Sequence, residues 1–364
     1  MEGEVFAGEA CGDGLCSGEE TCCTCPGDCG WCCGNGGCDC AETRWSCPGD
    51  CGGTAALTFG FVEVTAGSFW MGSPGGEDCP LGYMGGGCDG SGNSTTVPEP
   101  GRDPDEVLHL VTLTRGFELQ NHEVMQVEWM TAFGGWNPSG SVNGETYPVE
   151  SVSWFDSLAY ANWKSEQEGY APCYRISEVE CEQGGNSADG TDAMFCMDVG
   201  HGGIRSAVVT VEVLSPYACS GYRLPTEAEW EFAARAGTVT AYQDGLESDV
   251  GHLECEAPFH LTKIAWYCGS SDSPGTKEVG GKALNAWGLS DMSGNVWEWC
   301  WDVYCAGTEG ERDDPAGTGC SGTYRVTRGG IWNGHARNCR SANRSSNPPG
   351  QRSSNLGFRL ARSL

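Results

Sequence analysis

Apolar and polar residues alternate along Leu57–Val64, Val107–Thr114 (VLHLVTLT) and Val208–Leu214. A period of two marks a strand with one buried face, so each stretch predicts a strand. Elsewhere the period lengthens to that of a helix. Glu123–Phe133 gathers Val124, Val127, Met130 and Ala132/Phe133 on one face, and Ser153–Ser165 gathers Phe155, Leu158, Ala159 and Trp163 behind Ser153 as an N-cap. A third helix opens at Thr226, where Thr226-Glu-Ala-Glu229 has the capping-box spacing, Pro225 precedes it, and Gly237 closes the run Trp230–Arg235. Beyond it, short strands, dense glycine and isolated tryptophans predict an irregular α+β fold, rich in coil, with loops packed on a small sheet.

The first 53 residues obey different rules. They hold 12 of the 24 cysteines in two copies of one pattern, about residues 11–30 and 33–52: Cys11-Gly-Asp-Gly-Leu-Cys16 with Cys25-Pro-Gly-Asp-Cys29-Gly30, then Cys33-Gly-Asn-Gly-Gly-Cys38 with Cys47-Pro-Gly-Asp-Cys51-Gly52. Each copy is too short to bury a core, so cross-links must stand in for burial. This predicts a disulfide-rich region over 1–53 and one large domain over 54–364. Mixed spacings favour disulfides over zinc knuckles. Asp13, Glu19, Asp28, Asp39 and Asp50 lie on glycine-rich turns, read either as solvated turn residues or as calcium ligands.

Charge narrows the partners. Fifty acidic residues against 20 basic ones leave a net charge of −30, which repels phosphate backbones and anionic membranes. No apolar run is long enough to cross a bilayer, and Met1–Ala10 has neither the basic nor the apolar part of a signal peptide. Two dozen cysteines, even in number on each side of residue 53, nevertheless predict an oxidising, extracellular or cell-surface setting with every thiol paired. Cys79–Cys88 and links among Cys173, Cys181, Cys196 and Cys219 are expected as local closures. Asn93-Ser-Thr95 and Asn343-Arg-Ser345 are glycosylation sequons.

Three strings are more specific than any periodicity: Gly221-Tyr-Arg-Leu-Pro-Thr-Glu-Ala-Glu-Trp-Glu-Phe-Ala-Ala-Arg-Ala-Gly237; Asn285-Ala-Trp-Gly-Leu-Ser-Asp-Met-Ser-Gly-Asn-Val-Trp-Glu-Trp299; and Arg328-Gly-Gly-Ile-Trp-Asn333, continued by Arg340-Ser-Ala-Asn-Arg344 and Asn355-Leu-Gly-Phe-Arg359. In that order they resemble the formylglycine-generating enzyme, or sulfatase-modifying factor, family over about residues 55–364. The resemblance implies a decorated C-type-lectin-like domain. It also implies a structural calcium ion on the loop where Asp291, the carbonyls of Gly294 and Val296, and Glu298 alternate as oxygen donors. The other reading is that Glu298 pairs with an arginine.

The family's oxidation of a peptidyl cysteine uses two thiolates that hold copper, as soft sulfur ligands do. The position matching the first is Gly334, and the second falls near Cys339 in a loop about three residues shorter. One thiol cannot make that site, so copper is not expected. A Cys339 nucleophile assisted by His335 is the remaining catalytic arrangement.

The leading expectation is therefore a secreted, non-catalytic binding or structural module, stabilised by disulfides and calcium. It would display Trp332, Asn333, His335 and Asn338 to a protein or glycan at the cell surface, or assemble with itself. The alternatives are the oxidase, and a retroelement-diversified binding protein whose variable residues lie in this C-terminal region.

Overall fold

The chain divides between Phe59 and Gly60. The computed structural model describes residues 60–75, 88, 98–141, 144–186, 192–211, 215–246, 254–256, 259–270, 273–306, 313–317 and 320–364. The paired repeats, Asn93 and Cys79 lie outside the described residues.

In chain order the strands are β1 (Phe61–Val64), β2 (Gly67–Met71), β3 (His109–Leu113), β4 (Phe117–Gln120), β5 (Tyr174–Cys181), β6 (Ile204–Val211), β7 (Tyr222–Arg223), β8 (Trp297–Val303), β9 (Arg325–Arg328), β10 (Arg344–Asn347), β11 (Leu356–Gly357) and β12 (Ala361–Ser363). The helices are α1 (Gln126–Ala132), α2 (Trp154–Gln167), α3 (Glu227–Arg235) and α4 (Phe259–Ile264). One four-stranded sheet has the order β1-β4-β12-β7, a second β10-β9-β8-β11, and β2–β3 and β5–β6 are separate ribbons. The C-terminal strand β12 lies between β4 and β7, so the last residues close the first sheet.

Capping chemistry sets two helices where the sequence places them. Ser153 Oγ accepts from Asp156 N (3.1 Å) while Asp156 Oδ2 accepts from Ser153 N (2.8 Å). Thr226 and Glu229 repeat the exchange at α3 (3.2 and 2.9 Å). At its other end the left-handed C-cap is Ala236, φ 46°, one residue before Gly237. The first helix differs from expectation: it starts at Gln126, not Glu123, because Val124 is engaged as extended chain. Its N–H donates to Phe358 O (2.9 Å) and its carbonyl accepts from Val149 N (2.8 Å).

Trp129, Tyr160 and Phe358 pack together between α1, α2 and the C-terminal segment, with ring centroids 5.5 to 6.3 Å apart. The acidic strings are matched internally. Arg223 binds Glu229 through two contacts of 2.7 Å, Arg344 binds Glu227 (2.6 and 2.8 Å), and Arg340 binds both Glu106 (2.5 and 2.7 Å) and Glu99 (2.9 Å). The α3 carboxylates thus serve packing, with paired charges in a dry interior.

Cys173–Cys219 encloses Cys181–Cys196, the local closure expected for the β5–β6 insertion, and Cys255–Cys268 and Cys305–Cys320 add two more. Cys88 is also disulfide-bonded. The expectation that every thiol is paired fails at Cys300 and Cys339, which are free and buried. Cys300 lies on β8 between Trp299 and Trp301, and Cys339 lies in an apolar cluster with Ala241, Tyr242, Leu261, Ile264 and Ala265. The Asn343 sequon is also closed to modification: the residue is 1% exposed and its amide donates to Glu106 Oε1 (3.1 Å).

Asp302 Oδ2 accepts from Glu227 N at the start of α3 (2.7 Å). Burial, and after it the negative charge of Glu227, pushes this carboxyl up to about 8. An unfolded aspartate titrates near 3.9, so between about pH 4 and 8 the folded chain binds the extra proton and its stability falls as pH rises. Asp302→Asn keeps an acceptor for the helix N–H without the charge. Denaturant titrations should show the variant losing a pH dependence of up to about 1.4 kcal/mol per pH unit across that window. An unchanged slope would contradict the assignment.

Candidate functional site

The loop after β9 is set by its ends. Arg328, fully buried, donates to the carbonyls of Ser341 (2.9 Å), Ala342 (2.8 Å) and Asn343 (2.6 Å) and pairs with Glu231, so the chain must leave and return at one point. A Cβ on Gly330, φ 87°, would lie 2.8 Å from Asn338 O, which requires glycine where the two limbs meet.

Between the limbs, Trp332 N donates to Asn295 O (2.8 Å) and His335 Nδ1 lies 2.9 Å from Glu254 Oε2. Ala336 N donates to Glu254 O (2.7 Å), and Cys268 N donates to Gly334 O (3.0 Å). Trp332 is half-buried, Asn333 exposed, and the His335 side chain 40% exposed. These three share one outward loop. Asn338 instead braces it, accepting from His335 N (3.2 Å) through Oδ1.

His335 pairs with Glu254, and Cys339 lies in the apolar cluster below the loop. Its sulfur is inaccessible, and burial pushes the thiol up to about 12. A thiol held neutral in this way is a poor nucleophile and a poor metal ligand.

Beneath Trp332 lies the 291–298 loop. Asp291 (φ 54°), Gly294 (φ 88°) and Asn295 (φ 62°) all adopt left-handed backbone, and a Cβ on Gly294 would sit 1.9 Å from Trp266 O. Glu298 is matched within the protein: Arg359 Nε and Nη2 each reach it at 2.7 Å, and Trp230 Nε1 donates to it at 2.8 Å. Asp291 Oδ2 accepts from Gly280 N (2.6 Å), whereas its Oδ1 is buried without a partner.

Glu123, which the helix-period reading of 123–133 concealed, is fully buried with neither carboxylate oxygen hydrogen-bonded to a neighbour. Burial first, then the charges of Asp291 and Glu298, hold its carboxyl well above the usual range, and burial raises Asp291 as well. Among the described residues no three His, Cys, Asp or Glu side chains converge as a preformed metal cluster. The unmatched oxygens of Glu123 and Asp291 are the donors that suit a hard cation here, with Glu298 already held by Arg359.

A coil-rich α+β domain, two small sheets joined by long loops and a C-terminal loop presented to solvent define a C-type-lectin-like protein. Residues 56–364 match the Sulfatase-modifying factor enzyme 1-like domain, and the chain belongs to that family. It is 31% identical over 238 residues to a protein named chaperone protein LppX from Paenibacillus barcinonensis, covering 61% of this chain and 71% of the relative. It is 41% identical over 157 residues to the formylglycine-generating enzyme of Thermomonospora curvata, covering 39% of this chain and half of that enzyme. Among solved structures, Treponema denticola variable protein 1 superposes with a TM-score of 0.60 at 27% identity, covering 86% of this chain and 98% of that one. PvdO from Pseudomonas aeruginosa shares the fold, with a TM-score of 0.55 at 24% identity over 84% and 94% of the two chains.

Proposed function

We propose that the chain is a secreted, non-catalytic binding module that uses the sulfatase-modifying-factor fold as a rigid platform for the Ile331–Asn338 loop. One observation carries this reading: where the family's chemistry needs two accessible thiolates, this loop has Gly334 and a buried, neutral Cys339. The disulfides among the described residues suit an oxidising compartment, which supports an extracellular or cell-surface location. The partial exposure of Trp332, Asn333 and His335 on one loop supports them as contact residues, with Arg328 and Asn338 as their frame.

Calcium belongs to the platform. Glu123 and Asp291 would hold the ion, and it would supply the positive charge that their buried oxygens otherwise lack.

The test is a sulfatase-type peptide with a central cysteine, incubated with the full chain, copper and oxygen and followed by mass spectrometry. The peptide should emerge with its thiol intact, and Cys339 should resist alkylation until the protein is unfolded. An aldehyde on the peptide would sink the reading.

A further inference from the structure

Helix α2 and the β5–β6 insertion enclose a cleft of about 830 Å³, and no residue that lines it belongs to the Ile331–Asn338 loop or to the 291–298 loop beneath. Its deep lining is apolar: Ala159 of α2 with Tyr174 and Ile176 of β5, all buried. Nearer the mouth lie Trp163, half-buried on α2, and Met194, 40% exposed.

Both sides are fixed before any ligand arrives. Asn162 clamps β5 to the helix, donating to Tyr174 O (2.6 Å) and accepting from Tyr174 N (3.1 Å). Met194 belongs to the single 3-10 turn Ala193–Cys196. Asp192 caps that turn by accepting from Met194 N (2.9 Å) and Phe195 N (3.3 Å), and the Cys181–Cys196 disulfide ties it to the end of β5. A preformed and largely apolar cleft of this size is the kind that small ligands occupy.

Two charges share the lining, Arg175 on β5 and Glu166 on α2, both exposed. Among the described residues neither has a hydrogen-bond or ion-pair partner, and they do not pair with each other. Elsewhere the domain matches its guanidiniums: Arg223, Arg340, Arg344 and Arg359 each hold a carboxylate. An open guanidinium and an open carboxylate on one apolar cleft leave room for a ligand that brings the opposite charge to each.

From this juxtaposition we infer that the cleft binds a zwitterion with a large apolar side chain, an amino acid or short peptide. Its α-carboxylate lies toward Arg175, its α-ammonium toward Glu166, and its side chain against Trp163 and Met194. Charge decides between this and an anionic ligand. The chain carries −30, and an anion here would meet Glu166 and Asp192 against one guanidinium, whereas a zwitterion is neutral overall and complements both open groups. The site is additional to the loop face, and neither reading depends on the other.

The test titrates the full chain by calorimetry at neutral pH and about 150 mM salt, which screens non-specific attraction. The probes are the dipeptide phenylalanyl-leucine, its N-acetyl form, its C-terminal amide, the doubly blocked N-acetyl amide, glycylglycine and free phenylalanine. Phenylalanyl-leucine should bind about threefold more tightly than either singly blocked form, since each loses one exposed ion pair. It should bind at least about tenfold more tightly than glycylglycine, which has no apolar side chain to bury. Free phenylalanine separates the two sources: binding equal to or tighter than the dipeptide's assigns the cleft to amino acids, and weaker binding assigns it to peptides.

Arg175→Gln should abolish the preference over the amide, and Glu166→Gln the preference over the N-acetyl form, with melting unchanged in both because both residues are exposed. Arg205→Gln, on β6 and outside the cleft, should leave binding unaltered. The inference falls if phenylalanyl-leucine does not bind, if the doubly blocked peptide binds as well as the free one, or if the Arg175 and Glu166 variants retain both preferences.

Discussion

Arg359→Ala should lower the stability of the domain by about 3–5 kcal/mol, measured as a shift in denaturant midpoint. Arg359 is fully buried and held by four hydrogen bonds: two contacts of 2.7 Å to Glu298, one to Gln120 O (3.1 Å) and one to Ser290 O (2.9 Å). Its loss strands the Glu298 carboxylate, whose neighbours include the carboxyls of Glu123 and Asp291. Replacing both partners, as Arg359→Met with Glu298→Gln, should recover a large part of the deficit, because the cost comes from an uncompensated buried charge more than from the lost attraction. A loss under about 1 kcal/mol for the single variant would show that Glu298 finds another cation or a proton at little cost.

The second large effect concerns the ion proposed for Glu123 and Asp291. Calcium at a hundredfold excess over its dissociation constant should add about 2.7 kcal/mol, which for a domain of this size raises the melting temperature by about 4 °C relative to a chelator. The gain should grow with pH. Both carboxyls are raised in the ion-free protein, so stability there declines as pH climbs past the ordinary carboxylate range, whereas the cation needs both groups ionised. Glu123→Gln and Asp291→Asn should each abolish the response while keeping the ion-free protein folded. Identical melting curves with calcium and with chelator would dispose of the site.

The architecture was legible where local chemistry agreed with the final packing. Ser153 and Thr226 are caps in both the sequence pattern and the structure, and the nested cysteines of the β5–β6 insertion close on one another. Legibility failed where a residue answers to a distant partner. Val124 reads as the first turn of a helix but bridges Val149 and Phe358, and this leaves Glu123 buried.

The even cysteine count pointed to complete pairing. Cys300 and Cys339 are in fact apolar fillers, a role that composition cannot distinguish from a staple. At the candidate site Trp332, Asn333 and His335 could be named from their place after Arg328-Gly-Gly. Glu254, Trp266 and Lys277 could not, because only the fold carries them alongside.

The outer bridge of the β5–β6 insertion joins residues 46 positions apart whose Cα atoms are 5.7 Å apart. The polypeptide therefore leaves the body of the domain and re-enters it through a single covalent doorway, and the inner bridge Cys181–Cys196 organises what lies beyond. Only the outer part of the cassette is open to lengthening or exchange, because Ile204 of β6 is hydrogen-bonded to Ser153 and Asp156 at the start of α2, and Tyr174 of β5 to Asn162 on that helix and Leu224 after β7. For a scaffold whose Ile331–Asn338 loop is locked by Arg328, the stretch beyond the inner bridge is where evolution or an engineer has room to add a new surface.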